Sequence, residues 1–351
     1  DKNKFLHKFY INRRKELDIF MQNGKPLFDK YSFDEDNRKK LPKDIKIPPT
    51  LAFENEFVKE AKDYCKKFKS VGVCEYFYYP TTFEEASLQL NYFLKEKFEN
   101  FGFYQDALTK DIKQFFLFHS NISSSLNIGL IDLKELIEKI VNSQAPYNAK
   151  EGFIRQIIGW REFMLRVYED NGTVLRNSNF FEFKNPIPKK IIEAKSKIQI
   201  LDDTIKKLEL TAYNHHIERL MILGNIFLLL EIKPNEVYEF FMKNYIDAYD
   251  WVMVGNVYGM SGFSDGGSIT TKPYISSSNY LLKMSDYSKN ESWCEILDAL
   301  YWRFLYKYSF KFDKNPRMKM QIALLNKMPK EKLENHLLVA KKFIDDIFIT
   351  N

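Results

Sequence analysis

The sequence predicts an all-α fold, and three observations carry that expectation. From about residue 53 onward apolar side chains recur three and four positions apart, the spacing that gathers them on one side of a helix. Glycine (13) and proline (12) are scarce in a chain of 351 residues, too few for the many tight turns of an all-β design. Between the periodic stretches lie short polar turns, so the helices are expected to pack as a bundle with a pocket.

Residues 1–50 read as an extended connecting arm. Arg13, Arg14 and Lys15 are followed by a turn at Asn23-Gly24-Lys25-Pro26, a charged stretch over 34–43 and Pro48-Pro49. Dense charge leaves little to bury, so this arm is expected to lie over the outside of something larger. Phe83, Ala86, Leu90, Phe93, Leu94 and Phe98 then form an amphipathic helix started by Thr81-Thr82, with Glu84 and Glu85 in its first turn. Further helices are expected over 133–141 behind Asp132, and over 151–168 with an apolar seam from Ile154 to Val167. Two more are expected over 201–230 and 234–252. Residues 255–278, rich in Gly and Ser, read as one irregular loop region, and helix returns over 297–308 and 330–347. The domain expectation is an arm, 1–50, and a helical domain, 51–351.

Composition narrows the function classes. Hydrophobic residues at 45% and charged residues at 28% exclude a disordered chain, and no apolar run approaches the roughly 20 residues that cross a bilayer. The 53 basic and 47 acidic residues leave a net charge of +6, which fits an anionic partner without demanding one. Cys65, Cys74 and Cys294 are an odd, scattered set, so no disulfide framework is expected and the reading is a reducing, cytoplasmic location. No signal peptide opens the sequence and residue 1 is Asp, so a fragment or processed product is expected.

Four segments concentrate polar residues that a helical core would otherwise avoid. In His119-Ser120-Asn121-Ile122-Ser123-Ser124-Ser125, hydroxyls beside backbone N–H groups at a helix start suit phosphate oxygens; the alternative is a plain cap and turn. Gln156, Trp160 and Phe163 fall three or four apart beside Arg155 and Arg161, so an amide and an indole share a face that suits an aromatic ligand, or simply an aromatic core. In Asn214-His215-His216-Ile217-Glu218-Arg219 the two histidines would project about 100° apart on a helix, which excludes joint chelation of one metal. One is then a buried proton donor, or both are core residues. Asp247 and Asp250 are expected one turn apart on one helical face, as ligand acceptors or as solvated helix-end carboxylates.

The order of these segments resembles one family. It is carried by Phe101-Gly102-Phe103-Tyr104-Gln105-Asp106-Ala107, Leu126-Asn127-Ile128-Gly129-Leu130, the run from Glu151 to Glu162, and His215-His216-Ile217-Glu218-Arg219-Leu220-Met221. Tyr258-Gly259-Met260-Ser261, Asp265-Gly266-Gly267, Lys272-Pro273-Tyr274, Met284-Ser285-Asp286-Tyr287, Asn37-Arg38-Lys39 and Asn315-Pro316-Arg317-Met318 continue it in collinear order. The chain resembles the photolyase-related branch of the cryptochrome/photolyase superfamily, the iron–sulfur bacterial cryptochromes and (6-4) photolyases. That resemblance implies the end of a linker and a helical FAD domain, with the α/β antenna domain of the family missing from this chain. It places Ser120, Ile122 and Ser123 at the FAD diphosphate and ribityl, and Gln156, Trp160 and Arg161 along the pocket. Arg219 would support the flavin, while Asp247 and Asp250 would reach the ribityl or the isoalloxazine edge. His215 and His216 would face the lesion, with His216 as proton donor.

Departures from the family pattern matter as much. The four cluster cysteines of the family fall on Ile200, Ser288, Glu291 and Cys294, and one thiolate cannot hold a [4Fe-4S] cluster, so the cluster is expected to be absent. The family's Trp-Tyr relay pair falls on Phe240-Phe241 and a further Trp near Ile192, and a Glu near the flavin aligns with Met253. The resemblance therefore implies a monomer that binds FAD and damaged DNA, without a membrane partner. Its activity would be blue-light-driven repair of (6-4) photoproducts. The alternatives are a cryptochrome-like photoreceptor, a non-catalytic structural descendant, or an unrelated helical nucleic-acid-binding module.

Overall fold

The computed structural model describes residues 5–68, 72–73 and 75–349; Cys74 lies outside them. Contacts divide the chain into two compact units, one of residues 1–166, 207–215 and 244–249, the other of 167–206, 216–243 and 250–351. The elements run in chain order as α1 (Leu6–Glu16), an antiparallel ribbon of β1 (Met21–Gln22) and β2 (Lys25–Pro26), α2 (Glu56–Cys65), α3 (Phe83–Tyr92), α4 (Phe98–Phe101), α5 (Ser123–Asn127), α6 (Leu133–Asn142), α7 (Tyr147–Ile154) and α8 (Glu162–Arg176). Then come α9 (Lys189–Ile192), α10 (Gln199–Thr211), α11 (Asn225–Leu229), α12 (Pro234–Asn244), α13 (Asp250–Met253), α14 (Ser278–Met284), α15 (Ser292–Tyr308), α16 (Lys319–Asn326) and α17 (Lys330–Ile347). Apart from the ribbon and a bridge between Asn185 and Ile232, the described residues are helix and loop, so the fold is all-α.

Helix starts follow their caps. At α3 the Thr82 hydroxyl accepts from Glu85 N at 3.2 Å while the Glu85 carboxylate accepts from Thr81 N at 2.8 Å, which satisfies donors that the first turn leaves without partners. Asp132 does the same for α6, accepting from Glu135 N at 2.9 Å. In the first unit Phe93, Phe98, Phe101 and Phe153 form one aromatic nucleus, with Phe93 and Phe98 centroids 5.0 Å apart. In the second, Phe181 stacks on Phe183 at 5.0 Å and meets Phe304 edge-on at 5.4 Å, while α15 packs along α17 around Leu297, Leu300 and Ala340. Burying each such ring contributes roughly 2–3 kcal/mol.

Between the α-helices the ladder widens to π-helix four times among the described residues, over Phe93–Lys97, Arg155–Arg161, Glu218–Gly224 and Val254–Ser261. The expected helix over 151–168 is thus α7, a π segment and the start of α8, and helix continues through residue 261 into the stretch expected to be loop.

The arm departs from its reading as extended chain. Residues 6–16 are helical and bury Phe9, Tyr10 and Arg14. Arg14 is fully buried because its guanidinium donates to the carbonyls of Ile19, Phe20 and Tyr31 and lies over the rings of Tyr10, Phe20 and Tyr31. Charge density marked this segment as surface, and the partners that bury the charge lie in neighbouring turns.

Two long helices expected from periodicity are interrupted. The one over 201–230 stops at Thr211, whose hydroxyl donates to Lys207 O at 2.7 Å and accepts from Tyr213 N at 3.3 Å, while Ala212 takes a left-handed conformation (φ 51°). The one over 234–252 stops at Asn244 and restarts at Asp250. The two breaks pin each other: Ile246 N donates to Ala212 O at 3.0 Å and Tyr245 Oη to Asn214 Oδ1 at 2.8 Å.

Candidate functional site

The serine run of the first unit does not cap its own helix. Ile122 occupies the cap position of α5 with its side chain in the apolar core, and no serine hydroxyl caps the first turn. Instead Ser123 Oγ donates to Asp247 Oδ2 at 2.7 Å, and Asn127 Nδ2 donates to Asp247 O at 3.0 Å. Asp247 is buried by this arrangement, 124 residues along the chain from Ser123. Ser125 Oγ and Asn121 Oδ1 are buried polar atoms with no hydrogen-bond partner among the described residues.

Ser120 lines a recess of about 20 Å³, room for one water-sized group, together with Asn121, Gln89, Tyr92, Thr50 and Lys97. Lys97 is the chemically unusual member. It is 6% exposed and makes no salt bridge or hydrogen bond among the described residues, and burial pulls its ammonium down to about 8. A buried cation without a counter-charge is costly, and an anion would relieve that cost.

The interruption after α10 sets the histidines. They are not a pair in mid-helix: His215 lies in the break and His216 opens the next helical turn. His215, 2% exposed, stacks on His119 with centroids 4.7 Å apart and planes 13° from parallel; Phe101 closes on His119 edge-on at 5.8 Å. His216 is exposed.

Three of the four π segments coincide with motif segments: Arg155–Arg161 holds Gln156, Trp160 and Arg161, Glu218–Gly224 holds Arg219, and Val254–Ser261 follows Asp250. A π turn is less stable than the α turn it replaces and is frequently found at functional sites. At Gly159 a Cβ would come 3.2 Å from the Tyr10 ring, so the glycine permits α1 to pack on this turn. Gln156, Trp160 and Arg161 are each partly exposed, and Trp160 meets Phe163 edge-on at 6.3 Å, so those two do share a face. Burial lowers the Arg161 guanidinium from its ordinary value.

Of the eleven residues that the sequence singles out, Ser120, Ile122, Ser123, Gln156, Trp160, Arg161, His215 and Asp247 belong to the first unit; His216, Arg219 and Asp250 belong to the second. Asp247 and Asp250 do not lie on one helical face, because Asp247 precedes the helix that Asp250 begins. Asp250 accepts from Tyr168 Oη at 2.8 Å, from Tyr238 Oη and from the Arg176 guanidinium, and these donors hold its carboxyl below the usual range against partial burial. Nothing along the chain signals this cage, the His119–His215 stack or Lys97, since each depends on contacts between distant segments or on burial.

The four positions aligned with cluster cysteines lie in the second unit. Ile200 is 2% exposed core. Ser288 N donates to the Glu291 carboxylate at 2.8 Å, and Trp293 Nε1 donates to its other oxygen at 2.6 Å, so these two positions form a closed turn. Burial and the nearby Asp298 push the Cys294 thiol up to about 11, and its Sγ lies 3.7 Å from Ser288 O as a donor. An isoleucine, a serine, a bonded glutamate and a protonated thiol do not fit a [4Fe-4S] cluster.

Comparisons with known proteins find relatives of the chain by sequence and by structure. A family model described as deoxyribodipyrimidine photo-lyase-related protein matches residues 1–79. A (6-4) photolyase of Agrobacterium fabrum is 35% identical over 340 residues, covering 92% of this chain and 66% of that protein's length. An uncharacterized protein of Acanthamoeba polyphaga mimivirus is 51% identical over 92 residues, 26% of this chain and 75% of the relative. Among solved structures, a cryptochrome of Synechocystis sp. PCC6803 aligns over 81% of this chain and 59% of its own, with 10% identity and a TM-score of 0.47. No described helix is long and apolar enough to cross a membrane.

Proposed function

The chain belongs to the photolyase-related branch of the cryptochrome/photolyase superfamily, and from that premise we propose that it is an FAD-dependent, light-driven DNA repair enzyme acting on (6-4) photoproducts. The observation that carries the reading is the 35% identity to a (6-4) photolyase across 92% of the chain. Because the chain spans 66% of that relative's length, activity, substrate and partner all belong to the proposal.

The polar groups around the serine run suit the anionic part of a dinucleotide, although the recess they line has room for only one water-sized group. Ser120 shares its recess with Lys97, an ammonium without a counter-charge, and Ser125 Oγ and Asn121 Oδ1 are buried without partners among the described residues, which suits a phosphate-bearing ligand. Ser120, Ser123 and the backbone at Ile122 would hold the diphosphate, Gln156, Trp160 and Arg161 the ring, and Arg219, Asp247 and Asp250 the remaining polar edge. When bound, reduced FAD supplies the photoexcited electron. The chain's own part is to accept a base flipped from the duplex and to move a proton. His216 takes the donor role through a ring nitrogen, since it is exposed while His119 and His215 are buried in their stack. The misfit at Ile200, Ser288, Glu291 and Cys294 supports an enzyme without the iron–sulfur cluster, whose flavin is reduced by another route than the Trp-Tyr relay replaced by Phe240 and Phe241.

Flavin-loaded protein, reduced with dithionite and illuminated in blue light with (6-4)-containing DNA, restores the bases; dark controls do not. Unchanged lesion in the illuminated, flavin-loaded sample ends the repair reading. Light-dependent flavin spectra in that same sample then leave the photoreceptor reading, which rests on the loss of Trp and Tyr from the relay positions.

A further inference from the structure

The surplus positive charge of the chain sits in one place. Residues 306–332 contain eight of the 53 basic side chains and two of the 47 acidic ones, which leaves 45 of each sign in the rest of the molecule. The segment runs from the end of α15 through a 3₁₀ turn (Ser309–Phe312) and α16 to the start of α17, all within the second unit.

Three of the eight cations are engaged: Lys307 with Glu231 at 2.6 Å, Lys311 with Phe180 O at 3.0 Å and Lys330 with Glu334 at 3.7 Å. Lys314, Arg317, Lys319, Lys327 and Lys332 are exposed and make no salt bridge among the described residues. On α16 the exposed positions are Lys319, Met320, Ala323, Leu324 and Asn326, and Met320, Ala323, Leu324 and Lys327 follow one another at helical spacing. Large apolar side chains stand among the charges: Tyr306 is 54% exposed, Phe310 65%, Met320 68% and Leu324 52%.

We infer that this surface binds single-stranded nucleic acid. Cations that outnumber the acids of the segment eight to two attract a polyanion, because each phosphate neutralised releases condensed counterions. Exposed rings four residues apart, at Tyr306 near the end of α15 and Phe310 in the 3₁₀ turn, offer unpaired bases surfaces to stack on, whereas the outside of a duplex presents sugar and phosphate that gain nothing from a ring. The same apolar groups do not make a membrane-inserting helix, since α16 has eight residues and presents only Met320 and Leu324 as large apolar groups on its exposed face. The face lies outside the residues assigned to cofactor and lesion, so the inference does not depend on the repair reading.

The test is fluorescence anisotropy of a labelled 20-nucleotide oligothymidine against the whole chain across a salt series. The variant K314Q/R317Q/K319Q/K327Q lowers the slope of log affinity against log salt by roughly 0.7 per lost phosphate contact. The variant Y306A/F310A weakens binding roughly five- to hundredfold at fixed salt while keeping the slope. Restoring lysine or arginine at two of the four glutamine positions brings back part of the slope, which a folding defect would not. An unchanged slope in the glutamine variant overturns the proposal. So does a ring variant that binds like the parent, or binding to phosphatidylserine vesicles with none to the oligonucleotide. Flavin absorbance and lesion repair are measured on the same samples and stay at parental levels whichever way the binding falls.

Discussion

Two buried charges in the first unit, Glu151 and Lys97, show what compensation does. Glu151 is fully buried, yet its carboxylate accepts from Tyr10 Oη at 2.8 Å, Phe33 N at 2.9 Å and Arg155 Nε at 3.2 Å, and Arg155 in turn reaches Asp34 at 3.0 Å. Burial and this carboxylate drive the Tyr10 phenol well above its ordinary range. Lys97 is nearly as buried and has nothing comparable. A compensated charge is architecture: it ties the arm to α7. An uncompensated one is a standing cost that the fold keeps for something it does not itself contain.

The sharpest way to break this contrast is Glu151→Gln. It removes the buried one of the two carboxylates that Arg155 pairs with and weakens the hold on Tyr10 and Phe33, so the loss in denaturant unfolding is expected at about 3–5 kcal/mol. A loss below about 1 kcal/mol would mean that the network is ornamental. Lys97→Met goes the other way: with no flavin bound it stabilises the protein at pH 7 by about 1–3 kcal/mol, while it binds flavin more weakly, as equilibrium dialysis followed by absorbance would read. Destabilisation of the flavin-free variant would refute the uncompensated charge.

The pH profile sharpens the same point. The Lys97 ammonium sits near 8 in the folded chain and near 10.4 when unfolded, so between these values the unfolded state binds the extra proton. Stability of the flavin-free parent therefore gains on raising pH from about 8 to 10, relative to Lys97→Met, in which this contribution is gone. Parallel profiles for the two proteins would contradict it. Smallest is Asp250→Asn, because that carboxylate is only partly buried: about 1 kcal/mol at neutral pH. Its folded pKa is depressed, so the contribution is present above the unfolded value and fades on acidification through the folded one; the variant and parent should converge in acid.

Legibility followed locality. The helices α6 and α17 carry their periodicity within one stretch and the sequence reads them nearly to the residue, while the start of α3 is read from its cap and its expected run to Phe98 is broken by the π segment after Tyr92. The interruptions at 212–215 and 245–249 contain no Gly or Pro. A threonine hydroxyl and a bond between the two breaks make them, and neither is visible along the chain. For the same reason His119 and His215, 96 positions apart, were read as separate features. Burial of Arg14 was illegible because the carbonyls that surround it are backbone atoms, which every sequence offers alike.

Cys294 has a bearing on how the molecule behaves at the bench. With its thiol pushed up to about 11 by burial and the nearby Asp298, Cys294 stays protonated at neutral pH, and the residue is 6% exposed. Iodoacetamide and peroxide should therefore pass it by in the native state and mark exposed Cys65 first, with Cys294 becoming labelled only as the second unit opens. The sulfur of Cys294 is, in this chain, a quiet internal reporter of unfolding.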